Sequence, residues 1–107
     1  MHRLEAEAFA DDVEVSLQCG ALEAQVPERL FRRLVLLGRA YELHRLSLLQ
    51  EDAVLDSVQA QSLSDELEFV RELVPTDHAL ATLLAQATPV VLAASRDAKS
   101  SLVIEWQ

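Results

Sequence analysis

Val13-Glu14-Val15-Ser16-Leu17-Gln18-Cys19 alternates apolar and polar residues without a break. Period-two alternation places Val13, Val15, Leu17 and Cys19 on one face of an extended chain and Glu14, Ser16 and Gln18 on the other, the pattern of a half-buried β-strand. Gly20 ends the run, and Leu22 to Val26 reads as a brief further strand. Upstream, Leu4, Ala6 and Ala8 alternate with Arg3, Glu5, Glu7 and Phe9. This predicts another strand, joined through an acidic turn at Ala10-Asp11-Asp12, although its Ala/Glu content also suits a helical turn.

Downstream the period becomes helical. Pro27 suits the first position of a helix, where a missing N–H costs nothing. From there to about Gln50, Leu30, Phe31, Leu34, Val35, Leu37, Tyr41, Leu48 and Leu49 share one broad face at ~100° per residue. Gly38 lies within that face and would let another element approach its backbone closely. Arg29, Arg32, Arg33 and Arg39 gather on the opposite side, with Leu36 and Leu43 among them.

A second helix is predicted from Asp56, because Asp56-Ser57-Val58-Gln59 fits a capping box. Ala60, Leu63, Leu67, Val70 and Val74 form its core stripe; Asp65, Glu68 and Glu72 form an acidic stripe, with Phe69, Leu73 and Val58 between the two. Pro75 ends it. Thr76 or Asp77 then caps a shorter helix carrying Leu80, Leu83, Leu84 and Ala87, which Pro89 is expected to stop. Val90 to Ser95 and Leu102 to Trp106 read as a closing β-hairpin around Arg96-Asp97-Ala98-Lys99. Together these predict one compact α+β domain over residues 1–107. Its antiparallel sheet comes from N-terminal strands and a C-terminal hairpin, and two longer helices and one shorter helix cover one face. Leu34, Leu67, Val15 and Ile104 are the expected core.

Charge is distributed in blocks. The first 25 residues carry six acids against Arg3, residues 26–50 five arginines against Glu28 and Glu42, and residues 51–77 eight acids against Arg71, within a net charge of −9. Such fields steer partners and say little about fold. Hydrophobic residues make up 50% and aromatics 5%, so a Leu/Val/Ala core with a few rings as anchors is expected. The apolar surplus favours an oligomer or a standing partner.

Acids stand near the start where a signal peptide has an apolar core. The strongly apolar run Leu34 to Leu37 is far shorter than the ~20 residues of a membrane span. The single Cys19 forms no internal disulfide. These features point to a cytoplasmic protein with no membrane association. Eight arginines against one lysine suggest a high-GC bacterial source.

Nothing in the chain names a chemistry. His2, His44 and His78 are far apart, and no C-x-x-C or H-x-x-x-H occurs, so neither a metal site nor a cofactor is expected. Cys19 has only Gln18, Gly20 and Ala21 beside it, with no cation to activate its thiol. Adjacent residues on a helix do not face each other, so Asp77 and His78 do not make a catalytic pair. Gly20 and Gly38 stand alone, which excludes a glycine-rich phosphate cradle. The arginine group invites nucleic acid, but the acidic whole would repel a polyanion, so direct binding is not expected. Pairing with the acids of the second helix, or simple solvation, accounts for these arginines.

The remaining signal is the stripe Asp65, Glu68 and Glu72 with Phe69 alongside. A ring between carboxylates suits docking on a basic surface, the charges steering and the ring anchoring; Phe69 filling a gap under the first helix is the competing reading. The expected function is a small, acidic, non-enzymatic protein-binding module. Its best-matching type is an inhibitor occluding a basic protein partner, as immunity proteins, antitoxins and nucleic-acid mimics do. The alternative is a homo-oligomeric structural or accessory subunit, joined through Leu36, Leu43, Phe69 and Leu73 or an open sheet edge at Leu102 to Trp106.

Overall fold

The computed structural model describes residues 13–107, so the strand expected over residues 3–9 lies outside the described part. The elements run β1 (Glu14–Cys19), β2 (Leu22–Pro27), α1 (Glu28–Ala40), α2 (His44–Ser47), β3 (Ala53–Leu55), α3 (Ser57–Leu73), α4 (His78–Ser95) and β4 (Leu102–Trp106). The sheet has the order β2-β1-β4-β3, with every neighbouring pair antiparallel. The architecture is α+β, with an antiparallel sheet and helices packed on one face.

The β1 alternation carries through into three dimensions. Val15, Leu17 and Cys19 are buried beneath the helices with Ala24 and Val26 of β2, Leu55 of β3, and Leu102 and Ile104 of β4. The opposite face exposes Gln18, Glu23, Gln25 and Glu105. Cys19 pairs with Leu22 across a two-residue turn, in which Gly20 has φ +60°. A positive φ at the first central residue alone is the pattern of a type II′ turn, which glycine adopts without steric cost.

Helix α4 is the centre of the molecule. It packs on β1 and β2 with one side and on α3 with the other. Leu80, Leu83, Leu84, Ala87, Val90, Val91 and Ala94 are all buried. It is the one described helix long and apolar enough, by length and composition, to cross a membrane. Helix α3 buries only Ala60, Leu63, Leu67 and Val70. Its other side faces away from the core.

Both predicted caps of the later helices are present. The Asp56 side chain accepts from Gln59 N–H at 2.8 Å and the Gln59 side chain accepts from Asp56 N–H at 3.0 Å, completing the capping box. Asp77 caps α4 by accepting from Leu80 N–H at 3.1 Å. The expected core residues Val15, Leu34, Leu67 and Ile104 are all at most 4% exposed.

Three local readings are corrected. Helix α1 passes through Gly38 but stops at Ala40 rather than near Gln50. Leu43 N–H donates to Gly38 O at 2.7 Å and Glu42 N–H to Arg39 O at 3.3 Å, a Schellman closure with Glu42 at φ 58°. That position normally holds glycine or asparagine, so a glutamate there hides the stop. Leu43 then turns back to pack on the core rather than lying among the arginines.

Second, Pro89 does not end α4. The helix continues to Ser95, and Val90–Ser95 is helical instead of the first strand of a hairpin. An interior proline costs about 3 kcal/mol, whereas burying two valines stabilises by ~1.5–3 kcal/mol each. Val90 and Val91 are both within 3% of full burial, and their packing wins. Third, the C-terminal strand is therefore not a hairpin partner or an open edge. It lies between β1 and β3, and the short β3 forms that edge.

Candidate functional site

The acidic stripe lies where the α3 periodicity puts it, on the side opposite the buried residues. Asp65, Glu68, Phe69 and Glu72 are all exposed. They are not equivalent. Asp65 and Glu72 occupy the crest, two turns apart. Phe69 leans toward the end of α1, where its ring meets Tyr41 edge-on at 6.3 Å between centroids. Glu68 leans toward α4, pairs with Arg71, and borders a groove of about 370 Å³ between α3 and α4 lined by Leu67, Leu84, Ala85 and Pro89. Asp65 accepts from the Gln61 side-chain amide at 3.1 Å.

Phe69 does not fill a gap beneath α1. It keeps 44% of its surface exposed and Tyr41 keeps 50%, so two large rings share one open patch. Tyr41 escapes the sequence reading because α1 ends just before it. Continuing the helical wheel through Gln50 assigns it to the core face.

Glu66, on the same helix, has a different role. Its carboxylate accepts from Leu46 N–H at 2.7 Å and Arg45 N–H at 3.0 Å. It thus satisfies the start of α2, a helix too short to hold itself. This contact fixes α2 between α1 and α3. Gly38 makes the other side of the fit, because α2 packs Leu46 directly on its Cα. The close approach expected at Gly38 is therefore real.

Arg32 and Arg33 of α1 find partners other than the α3 acids. Arg33 bonds to Asp77 at the start of α4, and Arg32 to Glu28 at 3.2 Å within α1. Arg32 also lies over the Trp106 ring at 5.3 Å, and Phe31 meets that ring edge-on at 5.2 Å. Neither of these two arginines neutralises the stripe of α3.

Among the described residues, no group of three His, Cys, Asp or Glu side chains could hold a metal ion. Cys19 is buried, and His44 and His78 are exposed at the starts of α2 and α4. Asp97 has a carboxyl held below its ordinary range, first by the Lys99 N–H and then by the Ser100 hydroxyl. The bonds are 2.9 and 2.8 Å long and close the turn before β4, a structural use. No family model, curated protein or solved structure matches the chain.

Proposed function

We propose that the chain is a non-enzymatic protein-binding module whose outer α3 face docks on a basic protein and occludes it. An inhibitor of the immunity-protein, antitoxin or nucleic-acid-mimic type is the form that best matches its size and charge. The observation that carries this reading is the open Tyr41–Phe69 pair beside Asp65 and Glu72. Desolvating two rings supplies an anchor of the kind that dominates interfaces. The surrounding carboxylates steer a cationic surface toward it, an effect that falls off over about 8 Å at physiological salt. The chain contributes steric occlusion and charge complementarity, and no bond is made or broken.

The test uses three proteins side by side: wild type, the triple variant Asp65→Lys/Glu68→Lys/Glu72→Lys, and Phe69→Ala. A basic protein retained from native lysate by wild type and released by salt supplies the partner for kinetics. The triple variant should associate at least tenfold more slowly at low salt, while Phe69→Ala should mainly dissociate faster. A triple variant that associates as fast as wild type refutes the docking face.

A second reading, homo-oligomerisation, draws support from the β3 edge. Val54 is 65% exposed there and Val58, just beyond, 76%, beside a strand edge that pairs with no other described strand, of the kind that joins copies. Sedimentation across concentration and salt separates the two. A dimer insensitive to salt and lost on Val54→Lys favours the edge, and a monomer favours the α3 face.

A further inference from the structure

Helix α4 carries no Asp, Glu, Lys or Arg over its 18 residues from His78 to Ser95. Burial explains part of that, since 39% of the helix is buried. Ala81, Thr82, Ala85, Gln86 and Pro89 are nevertheless exposed, and at ~100° per residue they form one continuous outer face. The other long helices put charge on theirs, with Arg29, Arg32, Arg33 and Arg39 on α1 and Asp65, Glu68, Arg71 and Glu72 on α3. An outward helix face without charge is the exception in a chain with 25% charged residues. We propose that this face of α4 packs against the same face of a second copy of the chain, forming a two-fold dimer.

The surface is shaped for a helix. On one side of α4 lies the groove of about 370 Å³ shared with α3, lined by Leu67, Leu84 and the half-buried Leu92. On the other side is a second hollow, of about 410 Å³, against Pro27, Leu30 and Thr82. Ala81 and Ala85 keep the ridge between the two low, so a second helix can approach closely. With 18 residues at ~1.5 Å each, and one helix plus its two flanks across, the face measures about 27 by 20 Å. Two copies together would cover about 1,100 Å², above the ~1,000 Å² that a specific interface needs.

Charge selects the occupant. A second copy also carries −9, so two copies meet best where neither presents an unbalanced charge. The α4 face is such a place. Its groove adds one acid, Glu68, and one base, Arg71, which pair with each other. In an isologous contact they can also cross to their counterparts, since residue i meets j as j meets i. A basic protein gains nothing from charge on this face, which separates it from the α3 stripe. A bilayer fits poorly as well. Interfacial helices offer it Trp, Phe or Leu and a basic polar face, whereas α4 offers Ala, Thr, Gln and Pro on a negatively charged molecule.

This dimer is distinct from pairing at the β3 edge. Helix α4 packs on β1 and β2, and β3 lies at the far side of the sheet. Asp65, Phe69 and Glu72, on the outer side of α3, stay open in it.

Sedimentation equilibrium of the full chain from about 10 to about 500 μM tests the proposal, with a dimer Kd of about 100 μM or tighter expected. Raising the salt from about 0.02 to about 0.5 M should leave the dimer unchanged or tighten it, because it screens repulsion between the copies. Ala85→Glu and Ala85→Lys should each weaken association at least tenfold, since a charge of either sign is buried against its own copy. Ala85→Ser, which stays uncharged, should dimerise as wild type does. Position 85 is exposed, and circular dichroism checks that each variant is folded. Val54→Lys and Phe69→Ala should keep the dimer. A monomer throughout the range overturns the proposal, and one that co-sediments with phosphatidylcholine vesicles assigns the face to a membrane instead. A dimer that survives both charged variants, is lost in Val54→Lys or weakens with salt overturns it equally.

Discussion

Replacing Gly38 with alanine sets two opposing effects against each other. An interior helical glycine is worse than alanine by about 0.8–1 kcal/mol, so propensity alone makes Gly38→Ala stabilising. The packing opposes it. A Cβ at this position would stand 2.8 Å from Leu46 Cγ, 2.9 Å from Leu46 Cβ and 3.1 Å from Leu46 Cδ2. Carbon atoms prefer ~3.5–4.0 Å, so α2 must withdraw by roughly 0.6–1 Å. Because one clashing atom is Leu46 Cβ, a rotamer change does not relieve the contact and the α2 backbone itself must move. Leu46 is fully buried, and its N–H is one of the two held by Glu66. Overpacking of this kind costs ~1–3 kcal/mol. The net expectation is a loss of about 1 kcal/mol, or a fall in Tm of ~4–8 °C for a domain near this size. Urea unfolding monitored by circular dichroism measures it, with an unchanged slope showing that the denatured state is the same. Leu46→Ala removes the Cγ and Cδ2 clashes and leaves the Cβ one, so the double variant should lose less than the two singles combined, by about 1 kcal/mol. A Gly38→Ala protein more stable than wild type would show that α2 is not seated on Gly38, and the reasoning fails.

Glu42→Gly should stabilise by about 1 kcal/mol, because it removes the cost of a side chain at φ 58°; a lowered urea midpoint would contradict the Schellman assignment. Pro89→Ala restores the backbone bond to Ala85 at an exposed position and should stabilise by ~1–3 kcal/mol, less the ~0.4–1 kcal/mol that proline gives by restricting the unfolded chain. Glu66→Gln leaves one of two α2 N–H groups facing an amide donor, so it should cost ~1–3 kcal/mol and speed hydrogen exchange at Arg45 and Leu46 before the rest of the chain. Leu67→Ala should cost ~2–5 kcal/mol, since Leu67 is 4% exposed. Asp97 has a folded pKa below its unfolded value, so its stabilising effect is present at neutral pH and lost as pH falls through the folded pKa. Carboxyl NMR of the native chain should therefore find Asp97 titrating below the ordinary aspartate value, and Ser100→Ala should raise it.

Features decided by residues within a turn of one another are legible in the sequence alone. Strand β1 is written in its alternation, the start of α3 in Asp56 and Gln59, and the exposed placement of Asp65, Glu68 and Glu72 in their spacing from Leu63, Leu67 and Val70. Each depends only on backbone period and local hydrogen bonding. Other features belong to the tertiary structure. Val90 and Val91 suit a strand or a buried helix equally, and Pro89 argues locally for a stop. Only the pocket between the sheet and α3 makes helix the lower-energy choice. The three-residue β3 has no pattern long enough to read and exists because β4 offers it an edge. Tyr41 meets Phe69 because α1 ends at a glutamate in a glycine's conformation. Local period specifies which face of an element is apolar, whereas the partner that covers that face is chosen by long-range packing, whose free energy exceeds the local preferences it overrides.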